Sequence, residues 1–163
     1  RGLKCSPIYQ NWNPQDPRHL PLFKKAEALG IPVNVHQGTS FVRPGPLKFA
    51  NPILLEDIAV ACPDLRLVIS HMGHPWEDEC VVLIRKHPNL YANISALHYR
   101  PLRHYQAFIS ALEYGVEGAR VTSVLASTIF THPKAIEDCV AQLQAVLEAF
   151  PGRHKHATAP VGP

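Results

Sequence analysis

The stretch that decides the fold is Ile-Pro-Val-Asn-Val-His-Gln-Gly at residues 31–38, an apolar run that ends on a histidine and a glycine. The same order of residue types returns at residues 67–73 as Leu-Val-Ile-Ser-His-Met-Gly. Short apolar runs of this kind are typical of buried strands. In parallel α/β proteins, functional sites form at the carboxyl ends of the strands. His36 and His71 are therefore candidates for one shared site, although either histidine alone could simply cap its strand.

Strand-like runs and helical apolar spacing alternate along the chain. The predicted strands are Gly2–Cys5, Ile31–His36, Leu65–His71, Leu90–Ile94 and Arg120–Ala126. The predicted helices are Leu20–Leu29, Ile53–Cys62, Glu77–His87, Pro101–Tyr114 and Pro133–Phe150. This alternation predicts an α/β fold with a parallel sheet, in which every strand ends on the same side. We therefore expect His36, His71, Ser95 and the Ser127–Thr128 pair to share one face of the molecule.

Five βα units leave two architectures open. A complete (β/α)8 barrel needs about 250 residues, so five units could form only part of one. An open flavodoxin-like sheet would be satisfied by five strands, but no glycine-rich phosphate loop follows the first strand. Two loops at residues 7–21 and 37–52 are longer than simple connectors, and such loops often carry function.

Composition limits the class of protein. The 163 residues are 46% hydrophobic and 18% charged, which suits one domain with a core, predicted at residues 1–150, followed by a polar tail at 151–163. The net charge of +3 is scattered, so neither nucleic acid nor a membrane is an expected partner. The four cysteines lie far apart without a CxxC pair, which indicates a reduced, cytoplasmic protein. They are Cys5, Cys62, Cys80 and Cys139.

Several motifs resemble the amidohydrolase-related family of metal-dependent TIM-barrel enzymes. The segment His-Met-Gly-His-Pro-Trp at residues 71–76 is similar to a family motif of the form HmGxPW. The segments at residues 2–4, 32–40, 87–95 and 130–133 agree with the family in order and spacing. The resemblance covers nearly the whole chain and implies a partial (β/α)8 barrel comprising about strands four to eight.

The resemblance also implies roles for particular residues. His36 occupies the position of a ligand to a divalent metal, usually zinc, and His71 that of a catalytic histidine near the metal-bound water or substrate. Neutral imidazole is a good zinc ligand, and a histidine can move a proton near neutral pH. Trp76 would shape the pocket wall, and Arg43 or Arg100 could bind a substrate carboxylate, although an arginine is more often a solvated surface charge.

Two departures from the family pattern concern the metal site. The HxH of the first barrel strand does not occur at the start of this chain, and His154-Lys155-His156 follows the last predicted helix. Thr128 stands where the family places an aspartate that binds metal, and threonine is a poor zinc ligand. Asn93 also stands where an aspartate is common. We therefore expect an incomplete zinc site.

The expected function is that of a metal-dependent hydrolase acting on a small, carboxylate-bearing substrate. A decarboxylase of the same family and a non-catalytic remnant are the alternatives. Arg1-Gly2-Leu3-Lys4 has the residue types of the interior of a strand or helix, so we expect a fragment. Its activity alone should be weak or absent. Open sheet edges would favour a homo-oligomer.

Overall fold

The computed structural model describes residues 2–116 and 121–122, which form a parallel five-stranded sheet with helices packed on one face. The strands follow one another in space as they do in sequence, in the order β1-β2-β3-β4-β5. They are β1 (Leu3–Cys5), β2 (Val33–Val35), β3 (Leu67–Ile69), β4 (Leu90–Asn93) and β5 (Val121–Thr122). All four neighbouring pairs are parallel.

The sequential strand order decides between the two predicted architectures. A flavodoxin-like sheet reverses direction after its first strand and has the order 2-1-3-4-5. An arc of a (β/α)8 barrel instead adds each strand beside the preceding one. The observed order is that of the barrel arc, so the partial-barrel prediction is confirmed and the flavodoxin-like alternative is wrong.

Five α-helices lie within the described residues. They are α1 (Pro7–Gln10), α2 (Leu20–Ala28), α3 (Glu56–Ala61), α4 (Glu77–Lys86) and α5 (Pro101–Glu113). Short 3-10 turns occur at Pro17–His19, Leu47–Phe49, Pro52–Leu55, Ser70–Gly73 and Leu97–Tyr99. The two long predicted loops thus contain short helical segments. The predicted helix Ile53–Cys62 divides into a 3-10 turn and α3.

Helix starts follow from local capping chemistry. The Asp16 side chain accepts a hydrogen bond from the Arg18 backbone, with Pro17 in the first helical position. Asn51 does the same for Ile53. Helix α4 begins with three acidic residues and ends with two basic ones, which complements the helix dipole.

The two faces of the sheet differ in chemistry. Val33, Val35, Leu67 and Ile69 alternate along β2 and β3 and are fully buried against the helices. The alternate positions on the other face, including Asn34 and Val68, are only partly buried. Strand alternation therefore sends one set of side chains into the core and the other to the concave side of the arc. The residue that follows β2, His36, continues the concave row.

Some predictions fall beyond the described residues. The end of the fifth predicted strand, the helix Pro133–Phe150, the tail at 151–163, Cys139 and Thr128 all lie there. The domain boundary at residue 150 stays a prediction for the same reason. Cys5, Cys62 and Cys80 are buried and free. No helix among the described residues has the length and apolar character needed to cross a membrane.

Candidate active site

The two predicted histidines meet at the carboxyl end of the sheet. His36 directly follows β2, and His71 lies in the 3-10 turn after β3. His71 Nε2 is 3.2 Å from His36 Nδ1, and the two rings meet nearly edge to face at 74°. Because β2 and β3 are neighbours in register, residues that follow them come together at one rim of the sheet. The shared location expected from the sequence is therefore observed.

His71 is fixed by the turn that follows β4. Its backbone N–H donates to Asn93 Oδ1 at 3.1 Å. Its Nδ1 lies 2.8 Å from both the carbonyl oxygen and the hydroxyl of Ser95. A carbonyl oxygen can only accept, so Nδ1 carries the proton. In the neutral ring, Nε2 is then the unprotonated nitrogen, and it faces His36.

Asn93 organises this support. Its Oδ1 accepts from the backbone N–H of Ser95 at 3.2 Å and from the Ser95 hydroxyl. Since that hydroxyl donates to Asn93, its lone pairs are available to His71 Nδ1–H. Asn93 is 1% exposed, and burial in this network makes its three accepted hydrogen bonds expensive to lose.

His36 has a less complete set of partners. Its Nε2 is buried and makes no hydrogen bond to any described residue. Its ring packs against Tyr9 with 5.0 Å between ring centres. Burial lowers the pKa of His36 to about 4, helped by the nearby His71 and Lys4, while the backbone of Thr39 acts in the opposite direction. His36 is therefore neutral at pH 7, the form that binds metals.

The pKa of His71 is lowered as well. Burial is the largest cause, and the charges of Lys4, His74 and Arg100 add to it, while the Ser95 backbone opposes it. Both imidazoles are thus held neutral by desolvation and by surrounding positive charge.

Gly38 explains why a glycine follows the first histidine. Its φ is +105°, and a Cβ at this position would lie 2.5 Å from the carbonyl oxygen of His74. The next residue, Thr39, donates its backbone N–H to that same oxygen at 2.6 Å. Only glycine permits this close approach, which joins the loop after β2 to the loop after β3. The two loops that it joins carry His36 and His71.

The turn after β3 has an unusual backbone. His71, Met72 and Gly73 all have positive φ values, of 60°, 48° and 66°. A Cβ on Gly73 would lie 2.6 Å from the Pro52 ring. The peptide bond between His74 and Pro75 is cis. Positive φ at non-glycine residues is uncommon and concentrates at functional sites.

A cavity of about 160 Å³ opens beside the paired histidines. It is lined by His36, Thr39, Phe41, His71, His74, Ala96, Leu97 and Arg100. Arg100 donates one guanidinium N–H to the carbonyl of Ala96 at 3.0 Å, which holds its side chain near the rim. The lining contains Arg100 and no acidic residue, so its charge favours an anionic group.

The other predicted site residues lie elsewhere. Arg43 is exposed on the loop after β2, and Trp76 is partly buried before α4; neither lines this cavity. Their roles in substrate binding, and that of Arg100, stay predictions. The sequence reasoning missed Thr39, Phe41 and His74. The motif His-Met-Gly-His could have drawn attention to His74, since a second histidine occurs within it.

Histidine is a residue type that binds divalent metals, but two histidines are fewer ligands than a metal site generally needs. Neutral imidazole is a good zinc ligand, and burial lowers the pKa of both rings. The unpartnered His36 Nε2 also indicates a ring with coordinating capacity to spare. Among the described residues, however, no group of three or more histidine, cysteine or acidic side chains could hold a metal.

Comparison with known families agrees with the fold and the motifs. A family model described as Amidohydrolase matches residues 1–122, which is most of the chain. The chain belongs to the amidohydrolase family. No curated protein matches it.

Two solved structures resemble this chain. A Lactobacillus casei protein, provisionally described as a metal-dependent hydrolase, has a TM-score of 0.58 at 20% identity, over 90% of this chain and 36% of its own. An uncharacterised TIM-barrel protein from Bordetella bronchiseptica has a TM-score of 0.57 at 25% identity, over 83% and 52%. These likenesses support the barrel assignment, and this chain spans about half or less of each structure.

Proposed function

We propose that this chain carries part of the active site of a metal-dependent hydrolase that acts on a small, carboxylate-bearing substrate. The observation that supports it best is the meeting of His36 and His71 at 3.2 Å beside a cavity at the carboxyl ends of parallel strands. Family membership supports the reaction class, and the basic cavity lining supports an acidic substrate.

In this proposal the two histidines have different tasks. His71 is held through Nδ1–H by Ser95, so Nε2, which faces His36 Nδ1 at 3.2 Å, is the nitrogen that would take up a proton when a reacting group replaces that contact, and return it to a leaving group. His36, with its unpartnered ring nitrogen, is the described residue that would hold the metal. A bound divalent cation, zinc as the first choice, would supply Lewis-acid polarisation of the substrate and a water of lowered pKa.

A decarboxylase of the same family is the second candidate. The cavity lining favours it to the same extent, since a basic wall binds an acid whether the carboxylate is kept or lost. The two reactions differ in their products. Release of carbon dioxide from a small acid would favour the decarboxylase, and release of an amine or alcohol would favour the hydrolase.

Two described imidazoles are fewer than the three protein ligands that a catalytic zinc generally needs. We therefore expect the chain alone to hold well under one zinc and to turn over substrate weakly or not at all. Stoichiometric zinc in the purified chain would contradict this expectation. The alternative of a non-catalytic remnant would then lose its main support, which is the incomplete zinc site.

Metal binding separates the roles of the two histidines. Zinc titration followed by NMR should show weak binding that His36→Gln abolishes and that His71→Gln reduces less. His87→Gln is the control, because His87 is a partly buried histidine that pairs with Glu56 at 2.9 Å and does not line the cavity. If His36→Gln binds zinc as well as the unmodified chain, the proposed metal position is wrong.

A further inference from the structure

A second pair of side chains beside the cavity is not used by the proposed chemistry. His74 Nδ1 lies 2.5 Å from Glu77 Oε1. Both side chains are largely buried, with exposed fractions of 13% and 7%. A charged or polar pair this buried is costly unless its hydrogen bonds are satisfied. The pair therefore calls for a reason beyond surface charge.

We propose that His74, oriented by Glu77, binds the carboxylate of the substrate together with Arg100. The inference deepens the proposed function and rests on it, because it names the side chains that would select an acidic substrate. His74 is a substrate-contacting residue in this proposal, and Glu77 is a positioning residue that acts through it.

The backbone of His74 is fixed on both sides. Its N–H donates to the His71 carbonyl at 3.0 Å, and its own carbonyl accepts from Thr39 at 2.6 Å. Glu77 is the first residue of α4, where a carboxylate is also stabilised by the helix dipole. With its backbone and Nδ1 both fixed, the imidazole has one defined orientation.

That orientation leaves one ring nitrogen for a ligand. Glu77 accepts the hydrogen bond from Nδ1–H, while Nε2 makes no hydrogen bond to any residue in the described part of the chain. The ring forms part of the cavity wall. In the imidazolium form, with Glu77 balancing its charge, the ring donates from both nitrogens, and Nε2–H can reach an anion.

Arg100 lines the same cavity and complements His74. It uses one N–H to bond Ala96, which leaves further guanidinium donors for a carboxylate. His74, Arg100 and His71 line the same cavity, so both partners lie near the proposed catalytic ring. A carboxylate held between them would place the rest of a small substrate against His71.

The experiment measures binding of benzoate to the full chain, with benzamide as the uncharged probe of the same shape. We expect the unmodified chain to prefer benzoate. His74→Gln and Arg100→Gln should each weaken benzoate binding by about tenfold or more, since each removes a charge-assisted hydrogen bond. Benzamide binding should change little.

Variants of Glu77 test the positioning role. Glu77→Gln keeps an acceptor for Nδ1–H, so we expect it to retain more benzoate preference than Glu77→Ala. A merely structural role for Glu77 would weaken benzoate and benzamide equally. His87→Gln, which breaks a similar histidine–glutamate pair away from the cavity, should leave both probes unaffected.

Two outcomes would overturn the inference. One is a His74→Gln chain that folds and binds benzoate as tightly as the unmodified chain. The other is an unmodified chain that does not distinguish benzoate from benzamide. Zinc titration of the same variants separates this result from the proposed function, because His74→Gln should leave the weak zinc binding unchanged. Loss of zinc binding in His36→Gln with intact benzoate preference would support the metal position and the carboxylate site independently.

Discussion

The two faces of the sheet show how one short strand can face a core on one side and a polar rim on the other. The helix-covered face of β3 holds Leu67 and Ile69, both fully buried. The opposite face holds Val68, partly buried, and the concave row continues into the polar groups of the rim. Folding free energy therefore resides mainly on one face, while the other can carry polar side chains that a core would exclude.

The largest expected effect is a difference in the free energy of unfolding between substitutions on the two faces of β3. Leu67→Ala removes a fully buried side chain and should lower the free energy of unfolding by about 2–5 kcal/mol. Val68→Ala, one residue along on the concave face, should cost about 1 kcal/mol or less. Urea denaturation of both variants measures the difference. Equal losses would mean that the concave face is also a packed core.

The next effect concerns the close approach at Gly38. Gly38→Ala should cost on the order of 3 kcal/mol, because a left-handed backbone is combined with a carbonyl 2.5 Å from the new Cβ. Gly30→Ala is the matched control. Its φ is also positive, but nothing lies within 4 Å of the added Cβ, so about 1 kcal/mol is expected.

NMR of the imidazole rings should further show that Gly38→Ala separates His36 from His71. A variant that keeps their contact would contradict the proposed role of this glycine.

Substitutions of Asn93 should have a smaller effect on stability and should remove hydrogen bonds that hold His71 and Ser95 at the rim. Asn93→Ala leaves the His71 and Ser95 N–H groups without their acceptor and should cost about 1–3 kcal/mol. Asn93→Asp keeps acceptor oxygens in place and should cost less. Thermal unfolding measures the stability of each variant. If the alanine and aspartate variants lose equal stability, hydrogen bonding through Oδ1 is not what matters at this position.

The smallest effect is a pH dependence of stability. The pKa of His36 is lowered from 6.5 to about 4 in the folded chain, so the unfolded chain binds more protons between these values. The free energy of unfolding should therefore fall as pH drops from 6.5 towards 4, by on the order of 1 kcal/mol after solvent screening.

His36→Gln should flatten this pH dependence in urea titrations at pH 7.5, 6 and 5. The lowered pKa of His71 contributes with the same sign, so some dependence should remain. An unchanged slope in the variant would show that His36 titrates normally in the folded chain.

The sequence predicts the strands and the two histidines well because those signals are local. The apolar run before His36 and the one before His71 each report their own strand, and parallel βα alternation places both ends at one rim. The sequential strand order could not be read from periodicity, which left the flavodoxin-like sheet open. Helix α1 was missed because four residues leave no helical period to detect.

The remaining parts of the site depend on contacts between distant segments. The pair of His74 and Glu77 follows a turn with three successive positive φ values, and no local sequence pattern predicts that turn. The cavity position of Phe41 depends on how the loop after β2 packs against the loop after β3. Such arrangements are set by tertiary contacts rather than by propensity, which explains why they escaped the sequence analysis.

The bonds that hold this rim run from backbone to backbone. Gly38 N–H donates to the Ala50 carbonyl at 2.8 Å within the loop after β2, and Thr39 N–H donates to the His74 carbonyl in the loop after β3. Exchanging the side chains at Phe41, Ala96 or Arg100 would leave both of these ties intact. The lining of the cavity could thus be varied at these three positions while the His36 and His71 rings keep their spacing.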